Sequence, residues 1–588
     1  MKKYCFICLS LIMLSFSCTK YDEIEKRVDN LEQKIIDFQT ALDILQSAYD
    51  AGIKITGIKS LDDDRGWEIS FSDHSVITVG NNLLYNVESN DKYITIVMRD
   101  GTSFMFQFTP DSIGPKLISF SILAKDNPLQ MVENAECEII GDSIVECWVK
   151  NIISNKQLIA NFCFEGNAVY LNDSIAESGT TSTDFRKPVK LTIASGSLSK
   201  DYTVYVHSYT GLPIIWIETE GRQEIISKEE YLKASFKLQE NVITRGAGDV
   251  LIDSVLIKGR GNTTWGMPKK PYRLKFDKKQ SLLGEPMDKS WVLLSNYADK
   301  TMLRVYTAFY MGYISNLDYT PKSHFAELIL NGQYNGTYLV CDKIKISADR
   351  VNVGNDGFLL EVDTKAEDGD ITFRLDHISE PINIKEPENI SVGDDNYNYI
   401  TAFMSKADSA LYSSNFTDPD NGWQKYIDMD SFVDWYLINE ITKNNDALMY
   451  SSCYMNLKRG GKIKMGPLWD FDLAMGNLYY NVTCYYDGLW MRYAEWINRM
   501  FDDPVFVSKV KERFDYFYGR KDDIMRTINE NAQYLRYAVK ENENRWHTFY
   551  EFTWPNYDIW GSYQNEVQSM KEWLNSRFEW LKAEFDKM

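Results

Sequence analysis

At 588 residues the chain exceeds what a single hydrophobic core supports, so several domains are expected. Hydrophobic residues at 44% and charged residues at 25% describe a globular protein and exclude a disordered or multi-spanning one. With 64 Lys and Arg against 84 Asp and Glu the formal charge is −20, which repels phosphate backbones and argues against a nucleic-acid partner.

The chain opens on a leader. Lys2 and Lys3 precede an apolar run from Cys5 to Phe16 that is too short for a stop-transfer helix. The run ends at Ser17-Cys18, a small residue before a Cys, which resembles a bacterial lipobox. On that reading residues 1–17 are a lipoprotein signal peptide and Cys18 carries the lipid. The polar segment that follows, Thr19 to Glu23, is similar to the surface-export signal of Bacteroidetes lipoproteins. It implies an outer-membrane anchor and exposure on the cell surface. From Tyr21 the apolar residues Ile24, Val28, Leu31, Ile35, Phe38, Leu42, Leu45 and Tyr49 alternate steps of three and four. This seam predicts a helical stalk over 18–50 that either self-associates through residues 21–49 or packs on the next domain.

Period-two alternation then takes over. Ile53–Ile55, Trp67–Phe71, Val76–Val79, Tyr93–Val97 and Phe104–Phe108 predict a small β module over 51–115. Residues 116–210 repeat the texture, with strands expected near 117–123, 137–140, 144–149, 158–164, 189–194 and 201–207. The closing run Lys200 to Val206 resembles the last strand of immunoglobulin-like modules on bacterial surface enzymes. Neither module carries a catalytic constellation, and both read as spacers. Six cysteines lie beyond the leader and the anchor, without a CxxC, so a zinc site is unsupported. Cys137, Cys147 and Cys163 are open to either pairing or free burial.

After Leu212-Pro213 strands mix with helices, and helices are expected at Asp430–Ile441, Asp503–Phe517 and Tyr563–Phe585. No P-loop, HExxH, GxSxG or Cys–His arrangement occurs. Gly259-Arg260-Gly261 precedes a strand on which Arg273 and Lys275 share one face, a phosphate-gripping pattern that equally suits an ordinary turn and a solvated strand. Asp299 reads as an N-cap, with Arg304 in the first turns, free either to face a nucleotide or to lock the fold. Asp470 and Asp472 are spaced to share one side of an extended stretch among apolar neighbours. At about 4 Å and an effective dielectric near 20 they repel by roughly 4 kcal/mol, which a divalent cation or a basic partner relieves.

Six ordered motifs resemble the CotH kinase family, the spore coat protein H-like proteins. They are RGNTTW with KKPYRLKF (260–276), DKTMLR (299–304), NGQYNGTYLVCDKI (331–344), GFLLEVD (357–363), INEITKNND (438–446) and GPLWDFDLAMGN (466–477). The resemblance implies an α+β atypical protein-kinase-like domain over 211–588 that moves the ATP γ-phosphate to protein Ser/Thr with Mg²⁺, or with Mn²⁺ or Ca²⁺. Carried over by motif, Asp446 takes the catalytic role of receiving the acceptor proton. Asp470 is the metal ligand and Asp472 a second one. Arg260, Arg273, Lys275 and Arg304 are the candidates for holding nucleotide. Tyr450-Ser451-Ser452 stands where an Asn ligand is expected, and Asp342 where the family often has Glu. The chain therefore reads as multidomain, with a helical stalk, two all-β modules, the second immunoglobulin-like, and a kinase-like domain. Its alternatives are a pseudokinase or glycan-binding surface lipoprotein and, more weakly, a carboxylate-pair glycosidase.

Overall fold

Strand alternation places Ile94, Ile96 and Met98 on one face of Tyr93–Met98 and Phe104 and Phe106 on one face of Ser103–Gln107. The computed structural model describes residues 38–61, 66–80, 83–90, 92–108, 115–131, 133–149, 156–196, 198–240, 250–366 and 369–588. The leader, Cys18 and the seam before residue 38 lie outside the described residues. Among the described residues no helix is long and apolar enough to cross a membrane.

Two compact units result, the first comprising residues up to Lys116 with 165–167 and 193–200, the second the remainder. In the first, two three-stranded antiparallel sheets surround one core. The helix over 38–50 buries Ala41, Leu45 and Ala48 in that core, so the described end of the predicted seam packs on the β module. A strand at Leu84–Ser89 was not foreseen; its alternation is masked by exposed Tyr85.

In the second unit the expected immunoglobulin-like region supplies a six-stranded sheet, in which Thr203–Ser208 run parallel to Ile144–Val149. Cys137 and Cys147 face each other across adjacent strands and form a disulfide; Cys163, Cys341, Cys453 and Cys484 are free. The region does more than space domains apart. Trp148 stacks on Tyr209 at 4.8 Å and clusters with Ile214 and Ile329, while buried Lys156 pairs with Glu541 at 2.7 Å and donates to the Val206 carbonyl.

The C-terminal domain has two lobes. Seven strands form a closed barrel: β1 (Ile214–Thr219), β2 (Leu232–Gln239), β3 (Val250–Gly259), β4 (Tyr272–Gln280), β5 (Asp288–Leu294), β6 (Ser323–Leu330) and β7 (Gln333–Asp342). Their order is β1-β2-β3-β4-β5-β7-β6, closed by parallel pairing of β1 with β6. Phe236, Ile257, Leu274, Trp291 and Leu328 fill the interior. Closure leaves this lobe no open edge.

The second lobe carries a five-stranded sheet, ordered β9-β10-β8-β11-β12, from β8 (Phe358–Val362), β9 (Thr372–Leu375), β10 (Ile378–Glu386), β11 (Cys453–Leu457) and β12 (Ile463–Met465). Among the described residues eight α-helices accompany the two lobes: α1 (Arg304–Tyr313), α2 (Asp395–Tyr412), α3 (Met429–Thr442), α4 (Glu495–Met500), α5 (Pro504–Gly519), α6 (Lys521–Tyr534), α7 (Ala538–Trp546) and α8 (Tyr563–Phe585). The three long helices expected from sequence are present as α3, α5 and α8. The largest core of the molecule lies here and includes Phe432, Trp435, Leu468, Phe514 and Phe578. Helix α3 is buried on every face, the pattern of a central helix, and Asp428 caps it by accepting from the Ser431 N–H.

Candidate functional site

Helix α3 ends at Lys443, whose left-handed backbone (φ 49°) turns the chain sharply into Asn444-Asn445-Asp446. From the other side β12 runs into the loop 466–476, where Asp470 also adopts a left-handed conformation (φ 65°). A non-glycine residue held there stores strain, a feature that concentrates at functional sites. The kink replaces the extended stretch expected from period two, yet Asp470 and Asp472 still line one cleft and the Asp470 charge acts on Asp472.

Both loops open onto one cleft of about 1090 Å³. Asp446, Asp470 and Asp472 line it, together with Glu361, Asp363 and Ser452. Lys258, Arg260, Arg273 and Lys343 line its barrel side. Burial, then the Asp470 charge, pushes Asp446 up to about 6; the Asn445 side chain, donating to Oδ1 at 2.6 Å, acts in the opposite direction. Desolvation within the cleft, then the Asp363 charge, raises the Asp470 carboxyl, against the pull of Arg260 and a Ser452 hydroxyl 3.3 Å away. Asp472 is raised furthest, by burial and by the charges of Asp470, Asp299 and Asp446. Glu361, at the end of β8, is pushed to about 7 by burial, although Lys385 stands 3.4 Å away.

The glycine turn positions Arg260. A Cβ at Gly259 would fall 2.3 Å from the Trp265 ring, and one at Gly261 (φ +81°) would fall 2.4 Å from Thr264 Oγ1. The turn is thus closed by its own Trp and Thr, and Arg260 projects across the cleft to lie 5.3 Å from the Trp469 ring. Of the cations in the following motif, Lys269 and Lys270 are structural: Lys269 is buried on the Thr337 carbonyl and Asn542, and Lys270 donates to the Trp265 carbonyl. Arg273 does face the cleft. Burial and the Arg273 charge hold nearby Lys343 down to about 8.

The structure therefore brings together Asp446, Asp470, Asp472, Arg260 and Arg273. It does not bring in two of the expected residues. Lys275 is exposed on β4 beyond the cleft lining, registered against Leu256 and Ser290. Arg304 is the first residue of α1 and is buried. Its guanidinium pairs with Asp299 at 2.6 Å and donates to the Ala474 carbonyl at 3.0 Å, so it locks the loop after Asp472 and does not enter the cleft. Asp299 caps α1 from further out than a standard N-cap, accepting the Arg304 N–H at 2.8 Å. Asp342, short where Glu was expected, still reaches Arg350 at 3.1 Å and Tyr319 at 2.7 Å. Lys343, Glu361 and Asp363 were missed as individual residues, although they sit inside the quoted motifs. Ser451 and Ser452, in place of the expected Asn, bond to Asp363 and Asp470. Among the described residues no three His, Cys, Asp or Glu side chains form a ready-made metal cluster.

A barrel lobe bearing cations, a helical lobe bearing clustered carboxylates and a deep cleft between them define a kinase-like domain. The profile of the CotH kinase protein family matches residues 257–581, more than half the chain, and the chain belongs to that family. Comparison with curated proteins finds no match.

Proposed function

We propose that this chain is a metal-dependent phosphotransferase that moves the γ-phosphate of ATP to a protein Ser/Thr hydroxyl, carried on a lipid-anchored cell-envelope protein. The observation that carries the reading is the convergence of Asp446, Asp470 and Asp472, all three raised chiefly by desolvation, on a cleft that Arg260, Arg273 and Lys343 also line. Three carboxylates pressed together while one side of the cleft stays basic fit a site built for a cation and a polyphosphate. A bound divalent ion would neutralise phosphate oxygens at Asp470 and Asp472. The residues of the chain supply the rest. Arg260, Arg273 and Lys343 hold the phosphate oxygens. Asp446 accepts the acceptor hydroxyl proton as the new O–P bond forms and the bond to the β-phosphate oxygen breaks, its electron pair leaving on ADP. Positioning and charge neutralisation are what such a transfer asks of a protein. The lipid anchor rests on the lipobox-like Ser17-Cys18.

One observation favours a second reading, nucleotide binding without transfer. Ser451 and Ser452 occupy the place of the expected Asn and already engage Asp363 and Asp470. Incubation with γ-labelled ATP and Mn²⁺ or Mg²⁺ separates the two. Self-labelling lost in Asp446→Ala supports transfer, whereas nucleotide binding with no labelling supports the second reading.

A further inference from the structure

The cleft mouth carries rings that the transfer chemistry does not use. Tyr479, Tyr480, Phe552 and Trp554 are each about half exposed, at 49, 50, 55 and 50%. They touch one another: Tyr479 meets Tyr480 at 5.8 Å and Phe552 at 5.9 Å, edge to face in both cases, and Tyr480 lies 6.3 Å from Trp554. Tyr480 and Trp554 also line the cleft beside Asp446. Contiguous exposed apolar area of this kind marks interaction surfaces, and Tyr and Trp are the residues such surfaces favour.

The ring-bearing loop is fixed from beneath. Lys443 Nζ donates to the carbonyls of Val482, Tyr485 and Asp487, and Arg577 to those of Tyr486 and Gly488 at 2.7 Å each. Trp573 Nε1 donates to the Cys484 carbonyl at 2.7 Å. Asn481, next to Tyr480, donates to Asn445, which in turn donates to Asp446 at 2.6 Å. Loop and catalytic carboxylate are thus one hydrogen-bonded unit, and a ligand seated on the rings is held in fixed register with Asp446.

We propose that these rings dock the acceptor polypeptide by taking an apolar or aromatic side chain that neighbours the accepting hydroxyl. The inference rests on the phosphotransferase reading and names the substrate feature its site selects. Two observations favour this occupant. The cleft, at about 1090 Å³, exceeds the usual volume for one small ligand and leaves room beside a nucleotide for an acceptor segment. The surface is also preorganised, which lowers the ordering cost of binding.

The test uses the full chain and two fluorescein-labelled dodecapeptides of Gly/Ala background with one central Ser, one with Phe two residues to either side and one with Ala there. Fluorescence anisotropy reads docking without any transfer chemistry. The Phe peptide is expected to bind at least tenfold tighter than the Ala peptide. Trp554→Ala and Tyr480→Ala remove that preference, Trp554→Phe retains it, and stabilisation by ATP with Mg²⁺ persists in all three variants. Equal binding of the two peptides, or a preference untouched by both Ala variants, overturns the inference. Retention of the protein on a maltohexaose matrix that is lost in Trp554→Ala also overturns it, in favour of a glycan. Failure of the transfer reading is seen separately, as absent self-labelling with ATP by a protein that still selects the Phe peptide.

Discussion

Replacing Glu440 by Gln tests how the loop that carries Asp446 is held. Glu440 and Arg577 are fully buried and pair at 2.5 Å. The Glu440 carboxylate also accepts the backbone N–H groups of Trp490 at 2.7 Å and Arg492 at 2.9 Å. Arg577 spends its other donors on the Glu440, Tyr486 and Gly488 carbonyls. Gln keeps the shape but removes the countercharge and turns one acceptor into a donor facing a backbone N–H. Removing one partner of a buried pair costs about 3–5 kcal/mol. With a urea slope of about 3 kcal/mol per molar, the unfolding midpoint should fall by roughly 1–1.7 M. Because Glu440 lies on α3, six residues before Asp446, phosphate transfer should fall with it. Urea titration followed by circular dichroism reads the midpoint. A shift below about 0.3 M would refute the assignment of this pair as the clamp beneath the site.

Asp446 sets a pH signature. If its deprotonated form is the base, activity should fall as pH drops through about 6, seen as the acidic limb of the kcat/KM profile. The folded carboxyl is raised above its ordinary 3.8, so between those values the folded chain holds a proton that the unfolded chain releases, and stability declines as pH rises across that window. Asp446→Asn should therefore gain about 3 kcal/mol at pH 7.5 and nothing at pH 3.5, by thermal unfolding. Lys343→Ala and Arg273→Ala should abolish stabilisation by ATP with Mg²⁺, whereas Lys275→Ala should leave it intact and shift stability by no more than about 0.5 kcal/mol. Gly476→Ala should destabilise by about 1–3 kcal/mol in the same assay, since Gly476 sits at φ +77° and a Cβ would lie 2.6 Å from the Trp573 ring.

Asp446, Asp470, Asp472, Arg260 and Arg273 meet in one cleft, and each lies in a short local segment whose ends are tied down. Lys275 shows where local periodicity stops. It does share a strand face with Arg273, but two residues along a strand is about 6.6 Å, enough to carry it past the cleft. Of the two roles open to Arg304 the structure shows the lock: it pairs with Asp299 five residues before it, and its second partner, the Ala474 carbonyl 170 residues away, is invisible to any local pattern. Barrel closure was equally hidden, since it depends on Ile214–Ile217 pairing in parallel with Glu327–Leu330. The kink at Asp470 contradicted the extended reading because loop geometry, not strand periodicity, governs 466–472. Helix α6 went unread in a stretch of mixed polarity, with only Ile524 and Ile528 buried.

A crystal of the protein with Mn²⁺ and a non-hydrolysable ATP analogue, measured at the manganese edge, bears most directly on the central claim. The account predicts an anomalous peak within about 2.5 Å of the Asp470 carboxylate, with the triphosphate contacting Arg273 or Lys343 and its terminal phosphate facing Asp446. A peak elsewhere, or a nucleotide seated away from Asp446, would contradict it.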